Sequence, residues 1–116
     1  IYRPTRWAAK APALVAILAK LDILANRIGA QVQGTHYYLI DIGIAGEHFV
    51  LQAQELGLGT CWIGWFNEKK ARKALGIPRS YRLVCFISVG YPAKSSSKPK
   101  KRRSLEEILF FNRAPE

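Results

Sequence analysis

Residues 41–66 read DIGIAGEHFVLQAQELGLGTCWIGWF, and a helical pattern in them gives way to a strand-like one. From Tyr37 to Leu56, apolar residues recur at the spacing of an α-helix, but on two stripes. The first stripe is Ile42, Ala45, Phe49, Ala53 and Leu56, and the second is Ile40, Ile44 and Leu51. A helix that is apolar on two sides must be covered on two sides. We therefore expect it to lie between its own sheet and something else, such as a second subunit, and to end at Gly57.

Three apolar segments predict β-strands. ALVAIL at 13–18 is a continuous apolar run, which is typical of a strand buried on both faces. TCWIGWF at 60–66 predicts a short strand. RLVCFISVGY at 82–91 is apolar at nearly every position, so we expect it to be central in the sheet.

The connecting segments contain helix and loop signals. Asn67 is a suitable N-terminal cap for a helix that Gly76 ends, and residues 21–36 predict a loop. The resulting order is strand, loop, long helix, strand, helix, strand and tail, which indicates an α+β or α/β domain. At 116 residues we expect a single domain over residues 1–116.

The C-terminal part is strongly basic. The net charge is +10, and residues 93–103 form a flexible basic linker that contains six of the basic residues, Lys94, Lys98, Lys100, Lys101, Arg102 and Arg103. Ser104 and Glu107 then match a capping box, which predicts a short helix after the linker. Such a patch favours a phosphate-bearing partner, whether nucleic acid, nucleotide cofactor or anionic membrane, although a solvated tail has the same composition.

Several functional classes are poorly supported. Cys61 and Cys85 have no ligand-pair spacing and lie in apolar runs, so we interpret both as core residues of a cytoplasmic protein. His36 and His48 are far apart in sequence, so we expect no metal site. The apolar run at 11–19 is too short to cross a membrane, and the glycines of GLGT follow a helix and precede a strand, the reverse of a phosphate loop.

The segment Trp62-Ile63-Gly64-Trp65 is the most informative candidate site. A glycine among bulky residues lets a ligand approach the main chain, although the tryptophans could equally be core residues. Together with the cations at 101–103, this segment suits a ligand with a flat ring at one end and a phosphate at the other. Flavin mononucleotide (FMN) has that shape.

The sequence resembles the nitroreductase family of FMN-dependent oxidoreductases. The resemblance rests on residues 41–66 together with LGIP at 75–78, SVGYP at 88–92 and KRRSLEEI at 101–108. It implies an α+β three-layer sandwich, with a central, mostly antiparallel sheet flanked by helices, and an obligate homodimer with FMN at the subunit interface. The family's N-terminal phosphate-binding motif has no match in residues 1–35, so we expect the N-terminal part of the domain to be missing.

The resemblance also implies roles for individual residues. The backbone N–H of Gly64 or Trp65 would face N5 of the flavin, and Trp62 and Ile63 would pack against its ring. Lys101, Arg102 and Arg103 would supply the contact to the FMN phosphate. NADH or NADPH would reduce FMN, and a small-molecule acceptor such as a nitroaromatic or quinone would reoxidise it in a ping-pong cycle, with no catalytic side chain. Two alternatives are a small basic nucleic-acid-binding protein, which we rank lower, and a degenerate family dimer that no longer binds flavin.

Overall fold

The computed structural model describes residues 3–21, 34–93 and 101–112. Most of the predicted loop at 21–36 and of the predicted linker at 93–103 lies outside these residues. The elements are a 3₁₀ helix (Arg3–Lys10), β1 (Ala13–Lys20), α1 (Tyr37–Glu55), β2 (Gly59–Ile63), α2 (Glu68–Leu75) and β3 (Tyr81–Gly90).

The three strands form one antiparallel sheet in the order β1-β3-β2. The predicted central position of β3 is confirmed, and this strand contributes the buried side chains Leu83 and Ile87. The prediction that β1 is buried on both faces is wrong, since Leu14 and Leu18 are exposed. As an edge strand, β1 has a neighbour on one side only, which an apolar run alone does not reveal.

The second strand is shorter than the sequence predicted. The register of β2 against β3 ends at the pair Ile63 and Phe86. Gly64, Trp65 and Phe66 therefore lie outside the sheet. The first residues of β3 pair with β1 but not with β2.

A β-bulge interrupts the pairing of β3 with β1. Ile17 pairs with Cys85 and Leu18 with Leu83, which leaves Val84 as the extra residue. The alternation of buried and exposed residues along β3 nevertheless continues through the bulge, so that Leu83 is buried and Arg82 is exposed on the opposite face.

Helix α1 confirms the long predicted helix and its end. Gly57 has a φ of +73°, and the N–H of Leu58 donates to the carbonyl of Ala53 at 2.8 Å, as in a helix terminated by a left-handed residue. Its buried residues are Gly46 and Ala53. The first apolar stripe is therefore only partly correct, because Ala45, Phe49 and Leu56 are exposed while Gly46 is buried.

Helix α2 begins and ends where the sequence predicted. The Asn67 side chain accepts a hydrogen bond from the N–H of Lys70 at 2.9 Å, and Gly76 adopts the left-handed conformation. Arg72 donates to the carbonyls of Pro78 and Tyr81, which ties the helix to the start of β3.

The predicted helix after Ser104 is wrong. Residues 105–108 form a turn, and the N–H of Leu109 donates to the carbonyl of Leu105 at 2.9 Å. The backbone N–H of Glu106 and then the Ser104 side chain hydrogen-bond the Glu106 carboxylate and lower its pKa, so Ser104 engages Glu106 rather than the predicted Glu107. The described residues of this turn are all exposed, and a capping signal without packing does not extend a helix.

The helices lie on opposite faces of the sheet. Gly46 of α1 contacts Trp62, whereas α2 lies beside the face that contains Ile63 and Phe86. This arrangement confirms the predicted α+β architecture of an antiparallel sheet between helices. Among the described residues, no helix combines the length and apolar character needed to cross a membrane.

Candidate functional site

The predicted ring-contacting residues Trp62 and Ile63 point to opposite faces of β2. Trp62 pairs with Ile87, and its indole lies against Gly46 with 39% of the residue exposed. Ile63 pairs with Phe86 on the other face and is 3% exposed. The structure does not bring these two side chains together, and it makes Ile63 a core residue, because successive strand residues alternate.

Gly64 and Trp65 follow the strand and remain accessible. A Cβ built on Gly64 would meet nothing within 4 Å, so its main chain is open on the side where a side chain would stand. Trp65 is 64% exposed, and its carbonyl accepts a hydrogen bond from the Thr5 hydroxyl at 3.4 Å. The 3₁₀ helix therefore contacts the segment at its carbonyl side.

A cavity of about 420 Å³ lies next to Gly64, and we refer to it as the Gly64 cavity. It forms where β2 has ended and the start of β3 lacks a strand on that side. Its lining includes His36, Tyr38, Phe66, Glu68, Arg82 and Val84. These residues come from elements that are far apart in the sequence, so no local motif predicts the cavity.

Charged side chains surround one end of the cavity. Glu68 lies 3.5 Å from Arg82 and 3.9 Å from Arg72, measured between carboxylate oxygens and guanidinium nitrogens. Arg72 is also held by two backbone carbonyls, whereas the Arg82 side chain is 54% exposed. Arg82 is therefore the cation of this group that is available to a ligand.

The predicted phosphate-binding residues Lys101, Arg102 and Arg103 are all exposed. None of the three lines the Gly64 cavity. The structure therefore leaves these cations accessible to an anion but does not place them at that cavity.

The two cysteines differ in environment. The interpretation of Cys61 as a core residue is wrong, since Cys61 is exposed on the edge strand β2. Cys85 is buried in β3 as expected, and desolvation raises the pKa of its thiol. Among the residues that the structure describes, no three His, Cys, Asp or Glu side chains come together as metal ligands.

A second cavity, of about 350 Å³, separates α2 from the sheet and is predominantly apolar. Leu14, Ile63 and Phe86 line it from the sheet, and Ala71 and Leu75 from the helix. Phe86 also contacts Phe66 edge to face, with ring centroids 4.9 Å apart. No sequence pattern indicates this cavity, because its size depends on the distance between two layers.

Comparison with known proteins assigns this arrangement of strands and helices to a family. Residues 4–91 match the Nitroreductase family. The chain belongs to the nitroreductase family. The match covers both helices and all three strands, so the resemblance inferred from the sequence is confirmed.

Similarity to individual proteins extends over much of the chain. Over 102 residues, the chain is 31% identical to iodotyrosine deiodinase 1 of Sus scrofa, and the match covers 85% of this chain and 34% of that protein. It is 38% identical to a nitroreductase family protein from Clostridium novyi NT, with a TM-score of 0.62 over 75% of this chain and 47% of that one.

An FMN-dependent nitroreductase from Clostridium difficile R20291 shares the fold at 22% identity. Its TM-score is 0.58, with 97% of this chain and 89% of that chain covered. The chain spans about a third of the length of the curated relatives it matches, 32% and 34%.

Proposed function

We propose that this nitroreductase-family chain is part of an FMN-dependent oxidoreductase. It would pass electrons from NADH or NADPH through FMN to a small-molecule acceptor, such as a nitroaromatic or a quinone, in a ping-pong cycle. The observation that carries the proposal is the open main chain at Gly64, which lies beside a cavity and inside the region that matches the family.

The described residues fit a flavin at this place. The open side of Gly64 would allow the edge of a planar ring to approach the backbone, and any other residue would fill that space with its Cβ. The main chain at Gly64 and Trp65 would hold the ring, and Lys101, Arg102 or Arg103 would hold the phosphate. Trp62 would support this segment through its contact with Gly46 of α1.

When bound, FMN supplies hydride and electron transfer, and the protein supplies position and electrostatics. A backbone N–H at Gly64 or Trp65 would donate a hydrogen bond to the ring and so stabilise negative charge there. The exposed cations at 101–103 would balance the phosphate charge. No side chain has to donate or accept a proton during the reaction.

We also propose that the protein acts as a homodimer. Ile40, Ile44 and Leu51, the second apolar stripe of α1, are all more than half exposed. Such a contiguous apolar face on one helix is typical of an interaction surface. A second copy of the chain, packed on this stripe, would bury it.

Flavin retention tests the proposal. The purified protein is incubated with FMN, free FMN is removed by gel filtration, and the visible flavin absorbance per protein is measured. Gly64→Val should abolish retention without changing the circular dichroism spectrum, because the space that the valine fills is empty in the protein alone. Gly43→Val is the matched control, since a Cβ at Gly43 also meets nothing within 4 Å.

A parent protein that retains no flavin would overturn the proposal. Equal retention by Gly64→Val and the parent would overturn the assignment of Gly64.

For the dimer, light scattering should give twice the monomer mass for the parent and for Gln52→Lys, and the monomer mass for Ile44→Lys. A parent protein that is monomeric at all concentrations would contradict the proposed homodimer.

A further inference from the structure

Arg82 presents a guanidinium group with unused donors to the Gly64 cavity. Its one ion-pair partner among the described residues is Glu68, at 3.5 Å. An arginine has several N–H donors arranged as a planar fork, and this single contact leaves most of them available. Such a fork matches the two oxygens of a carboxylate.

The cavity lies beside the bulge at Val84. Arg82 is exposed on the face opposite the buried Leu83, on the side of α2, where Glu68 is its ion-pair partner. Bulges occur preferentially beside active sites, where they change the direction of a side chain. Arg82 and Val84 both line the cavity along the part of β3 that has no partner on the β2 side.

The remainder of the lining suits an aromatic ring. Tyr38 and Phe66 contribute rings and Val84 an aliphatic side chain. The volume of about 420 Å³ is within the range of small-molecule sites, which combine apolar walls with a few polar groups. One cation beside aromatic and aliphatic side chains favours a ligand that carries one anionic group on a ring.

We infer that the Gly64 cavity binds aromatic carboxylates, with Arg82 as the residue that recognises the carboxylate. The ligand carboxylate takes the place of Glu68 beside Arg82, so Glu68 competes with the ligand. If the cavity binds the electron acceptor, Arg82 determines a preference for acceptors that bear a carboxylate. This consequence rests on the proposed function.

Binding is tested first without any reaction. The probes are benzoate and benzamide, which have the same shape but differ in charge, and their dissociation constants are measured by NMR titration. Benzoate should bind more tightly than benzamide. Arg82→Gln should weaken benzoate binding about tenfold, because a charge-assisted bidentate contact is lost. Glu68→Gln should strengthen it, because the competing carboxylate is removed.

Arg79→Gln is the matched control, since Arg79 is an exposed arginine of the turn before β3 and does not line the cavity. Equal affinities for benzoate and benzamide, or equal effects of Arg82→Gln and Arg79→Gln, would overturn the inference.

A kinetic measurement connects the cavity to the proposed reaction. With FMN-loaded protein and NADH or NADPH, kcat/KM is compared for para-nitrobenzoate and para-nitrobenzamide. Arg82→Gln should lower the ratio of the two values about tenfold, mainly through KM for the carboxylate. An unchanged ratio would overturn the inference. A protein that binds benzoate through Arg82 but retains no flavin would instead contradict the proposed function alone.

Discussion

Gly46 of α1 and Trp62 of β2 are in direct contact, and a Cβ built on Gly46 would lie 2.0 Å from Cη2 of the indole. No real side chain can occupy that space without movement of the ring. The helix therefore packs against the strand at the residue directly before Ile63 and Gly64, and the contact sets the distance between α1 and the candidate site.

Gly46→Ala should destabilise the protein relative to Gly43→Ala. Both changes gain the same helix propensity of about 1 kcal/mol, but only the first forces the indole to move. The difference in free energy of unfolding should be about 1–3 kcal/mol, the usual cost of overpacking, and urea denaturation measures it. Trp62→Phe should recover part of it in the Gly46→Ala background, and equal stability of the two alanine variants would show that the indole moves freely.

Asn67→Ala should reduce stability by about 1 kcal/mol, because the N–H of Lys70 loses its hydrogen-bond acceptor. Asn67→Asp is the matched control, since its carboxylate can accept the same bond. The comparison is again made by urea denaturation. A similar loss in both variants would mean that the amide has a role other than capping.

The two thiols should react at different rates in the folded protein. Cys61 is exposed and should react promptly with a disulfide reagent, whereas the buried Cys85 should react only after unfolding. Cys61→Ser should remove the prompt phase, and Cys85→Ser should leave it. Prompt reaction of Cys61→Ser would show that Cys85 becomes accessible without global unfolding.

The raised pKa of Cys85 also predicts a pH dependence of stability. Burial raises the pKa in the folded state, so the neutral thiol persists there at pH values where the unfolded chain already ionises. Its contribution to the free energy of unfolding should be constant below the unfolded pKa and decrease as the pH rises from that value towards the folded pKa. Denaturation at several alkaline pH values, compared with Cys85→Ala, measures the decrease.

Alanine substitution at Lys101, Arg102 and Arg103, one at a time, should identify the phosphate contact. Substitution of the residue that binds the phosphate should weaken FMN binding about tenfold or more, since a hydrogen bond to a charged group contributes about 1.5–3 kcal/mol. Flavin fluorescence titration measures the affinity. Lys69→Ala, an exposed lysine of α2, is the control. If all three substitutions behave like the control, these cations do not hold the phosphate.

The features that the sequence predicted correctly are those encoded locally. The caps of α2 depend on Asn67 and Gly76 alone, and the end of α1 on Gly57. The central position of β3 follows from its continuous apolar character. These signals act over a few residues and do not depend on which elements become neighbours.

The errors concern features that depend on neighbours. Leu14 and Cys61 are exposed because their strands are edges of the sheet, and strand order is not readable from either segment. The residues after Ser104 are exposed in the described part of the chain, and a short helix depends on packing that a local signal does not supply. The roles of Trp62 and Ile63 beside the flavin ring stay predictions, and alternation along β2 places the two side chains on opposite faces.

The single extra residue at Val84 makes the charge of the Gly64 cavity depend on the length of β3 and not only on its composition. Deleting that residue would restore regular pairing and move Arg82 to the opposite face of the sheet, although every remaining amino acid would be the same. Related chains could therefore gain or lose this cation through a one-residue insertion or deletion. An alignment that compares residue types column by column would not detect such a change.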